Sequence, residues 1–269
     1  MSFIDIDDFR QAYVIAKNEA LKSIRGKKLM AFVLIVLIML ALPVVLGYAF
    51  GMDLYSDPKE TLFLYAMFMT IILVISAALF SSTTLVSEFE DRTALLVFTR
   101  PIRKTTIFVG KFIGCFVLQW AIIGLFYLGM TLLSWIYMAD GYSMPFGDIG
   151  VSFLLATLAL LSISSVSMVF SSFVKKASMA SILSFVVFLM IIPIAEQAVI
   201  YGLNLSGMPW YLFDSVVNNA TDLFYTVDIM SGMEYTVTHL TLLEDIGYIA
   251  IWVVVPILIA WYLFKRRNF

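Results

Sequence analysis

The sequence predicts an all-α integral membrane protein with six transmembrane helices and both termini in the cytoplasm. Three observations lead there: six apolar runs long enough to cross a bilayer, basic residues crowded onto one side of those runs, and very little charge overall. The 269 residues are 62% hydrophobic and 13% charged, with a mean hydropathy of +0.98. A soluble domain carries about 25% charged residues. Too little of this chain is polar to cover a water-facing surface.

A hydrocarbon core about 30 Å thick needs roughly 20 apolar residues in a helix. The qualifying runs are Leu29–Phe50, Thr61–Val86, Ile107–Met138, Ile149–Val174, Ala177–Tyr201 and Ile246–Phe264. The second and third exceed what a membrane needs, so they tilt or continue beyond it as ordinary helix. The chain is expected to form a single transmembrane domain, 1–269. Within it, 1–28 is an amphipathic interfacial helix, 29–264 the bundle with an outer loop at 202–245, and 265–269 a cytoplasmic tail.

Charge assigns the sides. Sixteen of the seventeen Lys and Arg residues precede the first run, lie between the second and third or at the start of the third, lie between the fourth and fifth, or follow the sixth. The opposite side holds Lys59 and eleven acids. The positive-inside rule then places both termini in the cytoplasm. An even number of spans independently requires them to share a side. Cys115, the only cysteine, sits in an apolar run, so no disulfide framework is possible. The first 28 residues mix acids and lysines with spaced apolar residues. A signal peptide has a short basic head and then an apolar core, so the first span is expected to be retained.

Before the first run, Ile6, Phe9, Tyr13, Ala16, Ala20 and Ile24 recur at spacings of three and four, with Lys17, Lys22 and Arg25 between them. This is an amphipathic helix. It serves either as a surface anchor with its lysines at the headgroups, or as a lateral brace that also docks a cytosolic partner. Between the second and third runs, Glu88, Glu90 and Asp91 begin a short helix, where acids complement the helix dipole. The apolar stretch Ala94–Phe98 follows. Pro101 disfavours helix at Arg100, and Thr105 or Thr106 is placed to cap the next helix. The expected product is a short helix across the cytoplasmic end of the bundle, then a sharp turn.

Few residues within the spans carry chemistry. Glu196, after Pro193 in the fifth run, either reaches the outer interface or lines a pathway at the outer mouth; Gln119 is a weaker candidate of the same kind. Seven serines in the fourth run suit close helix packing or a polar lining. The Gly110-x-x-x-Gly114 spacing permits close helix approach. His239 is the only histidine, and with no other His or Cys nearby a metal site is not expected. The outer loop is too long for a bare connection and too apolar for disorder. It is expected to hold half-inserted short helices with Trp210 and Tyr211 at headgroup level.

The segment from Ser87 to Lys111 resembles the signature of ABC-2 type membrane subunits of ABC exporters. That signature is an acid-rich stretch, a Thr, a Leu-rich turn, a Pro, a basic residue and then Gly-Lys opening a span. Glu88, Glu90, Thr93, Leu95, Leu96, Thr99, Pro101, Arg103, Gly110 and Lys111 match it. Arg92 departs from it, where many members carry Gly. Lys17-Asn-Glu19 resembles the family's Lys-x-Glu helix before the first span. The resemblance implies a permease whose coupling helix sits in a cleft of a separate cytosolic ATPase. The residues implied for that coupling are Glu88, Glu90, Arg92, Thr93, Arg100, Pro101 and Arg103, with Lys17, Glu19, Lys22 and Arg25 in the N-terminal helix.

The chain has no Gly-x-x-x-x-Gly-Lys-Ser/Thr phosphate loop. It is therefore not expected to be an enzyme or to hold a cofactor; ATP and Mg would be bound by the ATPase partner. A homodimer or a heterodimer with a related permease is expected, within the cell membrane and the lipid bilayer, and no nucleic-acid partner. An apolar or amphipathic substrate suits a pathway with almost no charge, and export is the family's usual direction. The alternatives are an ATP-independent carrier and a structural or assembly subunit. A membrane-embedded enzyme or ion-coupled carrier would place several ionisable groups inside the spans, and these are missing.

Overall fold

The computed structural model describes residues 6–50, 57–90, 102–204, 209–224 and 242–266, apart from the side chains of residues 6, 7, 50, 242, 243, 245 and 246. Six of its helices are long and apolar enough to cross a membrane. They are Lys27–Ala49, Pro58–Thr84, Lys104–Tyr137, Phe146–Phe173, Ala177–Gly202 and Gly247–Arg266, here spans one to six. All regular structure among the described residues is helical. The spans begin or end within a few residues of the apolar runs. Span two starts earlier, at Pro58, because Asp57 caps it by accepting from the Lys59 backbone N–H at 2.8 Å. The charged Lys59 and Glu60 hid that first turn.

Cross-span contacts sort the ends. Lys28 donates to Thr83, Leu85 N–H reaches Ser171 on span four, and the Trp261 indole reaches Thr105. All three join the Lys/Arg-rich ends of their helices, so the described basic residues other than Lys59 gather at one end of the bundle. Lys59 lies at the opposite, acid-rich end, 3.1 Å from Asp148. Two apolar clusters fill the interior. The larger runs from Phe32 and Tyr65 through Phe126 and Leu160 to Phe213 and Tyr248. The smaller, at the basic end, gathers Leu85, Ile107, Phe108, Met168, Ala260 and Phe264. Spans one and five bury only a narrow stripe, with Leu34, Leu37, Ile182 and Ile194 more than half exposed. In a bilayer such faces meet hydrocarbon, not water.

Three spans contain a five-residue π-helical segment: Ala77–Ser81, Val187–Ile191 and Ala250–Val254. The second and third each end two residues before a proline, Pro193 and Pro256. A proline lacks an N–H and clashes with the carbonyl four residues back. Those carbonyls belong to Leu189 and Trp252, the middle residue of each segment. Widening the turn relieves the clash. The first segment has no proline. Instead Ser82, Thr83 and Thr84 donate their hydroxyls to the carbonyls of Ala78, Leu79 and Phe80 at 2.6–2.7 Å. Side-chain bonds four residues back compete with the α-helical ladder, and the Ser82 N–H moves to Ala77 O.

The N-terminal helix, Ile6–Arg25, lies lengthwise against the start of span three. The face that packs is not the aromatic one. Phe9 and Tyr13 are about two-thirds exposed, whereas Ala12, Ile15, Ala16 and Glu19 turn inward. Small residues win that face because they admit close backbone approach. A Cβ on Gly110 would sit 2.7 Å from the Ala12 carbonyl oxygen, and one on Gly114 would sit 2.6 Å from that of Ala16. The caps expected at Thr105 or Thr106 do not form. Span three starts at Lys104 with Arg103 at its N-cap and no capping side chain, while Thr105 accepts from Trp261 and Thr106 donates to Asp8. The hydroxyls are committed to neighbouring helices and are lost to the cap.

In the stretch between spans five and six, Pro209–Phe224 folds back into the bundle. It carries the helix Ser215–Asp222, and Phe213, Val216, Val217 and Ala220 join the main core. A short helix is expected in this loop from its apolar character, and this one packs against the protein core. Residue 242 already belongs to the helix that continues into span six.

Gly114→Ala is expected to destabilise the chain by about 1–3 kcal/mol, because the opposing atoms are backbone and cannot yield. Gly129→Ala should cost far less, since its Cβ would meet the flexible end of Leu40. Thermal unfolding of both variants in the same detergent checks this; equal losses would refute the close-contact role.

Candidate functional site

Lys111 occupies the centre of the basic end. It lies on span three between the two close-contact glycines and is only 4% exposed. Its Nζ donates to Glu19 Oε2 and to Glu88 Oε1, both at 2.9 Å, and to the Thr84 carbonyl oxygen at 3.4 Å. Those are the three donors of an ammonium group, all used. A lone buried ammonium would lose most of its hydration with nothing in return. Here two carboxylates repay it, and Lys22, 3.7 Å from Glu88, brings the cluster to two acids and two bases.

Each partner is held in place locally. The Gly110 and Gly114 contacts press the N-terminal helix onto span three and carry Glu19 to Lys111. Glu88 follows the turn at Leu85, where the backbone N–H groups of Leu85 and Val86 both donate to Ser171 Oγ, at 2.9 and 3.2 Å. The short helix Val86–Glu90 is thereby fixed to span four. Glu90, at its end, accepts from the Ala177 N–H at 2.8 Å and so satisfies one of the free amides at the start of span five. Arg103 pairs with Asp8 at 3.0 Å, tying the N-terminal helix to span three a second time.

Glu88 and Glu90 before residue 91, and Arg103 after residue 101, are therefore each fixed to neighbouring helices. Arg92, Thr93, Arg100, Pro101 and the expected coupling helix lie outside the described residues. Glu19 belongs to the buried cluster and Lys22 to its rim. Lys17 and Arg25 point away from the bundle and make no ion pair among the described residues. Sequence reasoning quoted Lys111 only as part of a signature. The missed signal was a lysine inside an apolar helix with glycines at i−1 and i+3, which calls for a nearby acid. Asp8 and Ser171 carried no such signal.

The two candidate pathway residues sit deeper and apart. Gln119 is fully buried. Its amide donates to Ser81 Oγ at 2.7 Å and Cys115 O at 3.2 Å, and accepts from Ser164 at 3.2 Å and Ser76 at 3.4 Å. Three of these bonds join span three to spans two and four, and the fourth stays within span three. Glu196 is 6% exposed on span five, and its Oε1 accepts from the Asp214 N–H at 3.0 Å. It reaches the folded-back segment, not the open interface. Burial and the neighbouring Glu196 push the Asp214 carboxyl up to about 7. All seven span-four serines are buried. Ser152, Ser162, Ser164 and Ser171 bond to neighbouring elements. Among the described residues no group of three or more His, Cys, Asp or Glu side chains converges as a metal site.

Among the described residues this arrangement pairs no nucleophile with an adjacent base. What it offers is mechanical: one buried cation and its carboxylates bind the N-terminal helix, the end of span two and the start of span three into a unit. The family described as ABC-2 family transporter protein matches residues 13–269. The chain belongs to that family and is a multi-pass transport membrane component. No curated protein matches it.

Lys111→Met is expected to cost about 3–5 kcal/mol, because it leaves two buried carboxylates facing each other. The triple variant Lys111→Met/Glu19→Gln/Glu88→Gln should recover most of that loss. If the triple variant unfolds at the same temperature as the single one, the cluster is not the source of the stability.

Proposed function

We propose that this ABC-2 chain is the permease subunit of an ATP-driven exporter. A separate cytosolic ATPase binds and hydrolyses ATP with Mg, and pushes on the stretch between Glu90 and Ile102. The observation that carries this reading is the wiring of that stretch's borders. Glu88 is bonded to span three, with Glu19 of the N-terminal helix on the same lysine; Glu90 is bonded to the start of span five, and Arg103 to Asp8. A displacement applied there acts on several spans together and is not absorbed by a loose loop.

In this reading the basic end is cytoplasmic and both termini lie there, in agreement with the positive-inside rule. The N-terminal helix turns Phe9, Tyr13 and Ile24 toward the membrane interface. The chain works as two copies, or one copy with a related chain, in the cell membrane. The substrate is apolar or amphipathic, since the spans carry neutral hydroxyls and, apart from residues near their ends, one carboxylate at Glu196. The competing readings are an ATP-independent carrier and an assembly subunit.

Purification from native membranes in mild detergent is expected to bring down a stoichiometric ATPase. Repeated recovery without one, from membranes where such complexes survive, would favour the competing readings. Glu90→Ala in the assembled complex removes a charge-assisted bond of about 1.5–3 kcal/mol. It should leave ATP hydrolysis and abundance near normal while transport of an amphipathic probe per ATP falls by roughly tenfold. An unchanged ratio would remove Glu90 from the coupling path.

A further inference from the structure

Pro209–Phe224 lies among the spans at the acid-rich end, and four of its backbone groups are captured by side chains. The Trp252 indole donates to Tyr211 O at 2.9 Å and the Tyr248 hydroxyl to Phe213 O at 2.8 Å, both from span six. Ser152 on span four donates to Ala220 O at 2.8 Å. Glu196 on span five accepts from Asp214 N–H at 3.0 Å. The first three ties are neutral throughout the ordinary pH range. The fourth is a carboxyl, and the residue whose backbone N–H it holds, Asp214, brings a second buried carboxyl beside it.

Among the described residues, the cation nearest in the fold, Lys59 on span two, is committed to Asp148. Span six presents the Tyr248 hydroxyl, already bonded to Ser162 and Phe213 O. Span five's only other titratable group is Tyr201, 76% exposed. Span four offers only Asp148, at its first turn, and span two, which also packs against the folded-back helix, carries Glu60 and Lys59, the latter paired with Asp148. Asp222 lies at the other end of the folded-back helix. Among the described residues no Lys, Arg or His forms an ion pair with either carboxyl.

We propose that Glu196 and Asp214 share one proton while Pro209–Phe224 is docked, and that loss of this proton releases the segment from span five, so that the acid-rich end loosens as pH rises. Two adjacent carboxyls cannot both ionise cheaply in a buried site. The sign follows from linkage. A carboxyl raised to about 7 when docked holds its proton more tightly docked than released. Docking is therefore strongest below the released value of about 4, weakens between there and about 7, and is weakest above it. The inference concerns the chain alone and stands or falls apart from any ATPase.

The test uses the full chain in lipid nanodiscs with Val217→Cys as reporter. Val217 is 2% exposed on the folded-back helix, and the native Cys115 is buried. Thiol-labelling rates at the introduced cysteine are normalised to a free thiol at the same pH. They are expected to rise by at least roughly tenfold between pH 5 and 8, and to stay low and flat when Glu196→Gln or Asp214→Asn is added. A flat profile in the parent chain overturns the proposal without reference to either variant. A rise that survives in both variants overturns it as well.

Discussion

At bilayer depth no backbone N–H or C=O has water to fall back on, so each must be satisfied by protein. Most of this fold's irregularities are answers to that constraint. Pro193 and Pro256 each interrupt the hydrogen-bond ladder of a span, and a π turn absorbs the interruption without abandoning the helix. The hydroxyls of Ser82, Thr83 and Thr84 do the same work by taking carbonyls directly. The folded-back segment survives among the spans because Trp252, Tyr248, Ser152 and Glu196 supply the partners its own helix cannot. Where span two ends at Leu85, a single serine on span four receives two amides.

The same economy governs charge. Lys111 is tolerable at 4% exposure only because Glu19 and Glu88 arrive with it. Glu19 arrives only because Gly110 and Gly114 admit the N-terminal helix at backbone distance. Packing and electrostatics are therefore serial here: the glycines position the acid, and the acid permits the buried cation. The cation then fixes the short helix from which Glu90 reaches span five. An isolated surface ion pair contributes little, but a cluster buried among three elements makes their relative positions specific.

Much of this was legible in the sequence. Apolar length located all six spans, since a bilayer imposes a minimum run that chance composition seldom meets. The split of Lys and Arg anticipated which helix ends share one end of the bundle. The resemblance over Glu88–Lys111 pointed to the family that matches residues 13–269. Less was legible where two distant segments meet. Periodicity identified the N-terminal helix, with Phe9, Tyr13 and Ile24 on its apolar face, but it did not reveal that Ala12, Ile15 and Ala16 make the contact with span three. Beside a membrane the aromatic side can stay outward, and alanines take the contact. Thr105 and Thr106 looked like caps because their partners on span six and at Asp8 are far away in sequence. Glu196 was visible as a lone acid, but its contact with Asp214 joins segments 18 residues apart and no local pattern encodes it.

The Lys111–Glu19 pair also has a history in time. Its members are 92 residues apart, so at about 5–20 residues per second of synthesis Glu19 emerges on the order of 5–20 s before its cation. During that interval the first two spans are made, and the acid has no reason to leave water. The N-terminal helix therefore waits undocked at the membrane surface until span three is delivered. A nascent chain stalled before Gly110 would present an exposed amphipathic helix with nowhere to sit, a state that cellular quality control could recognise as unfinished.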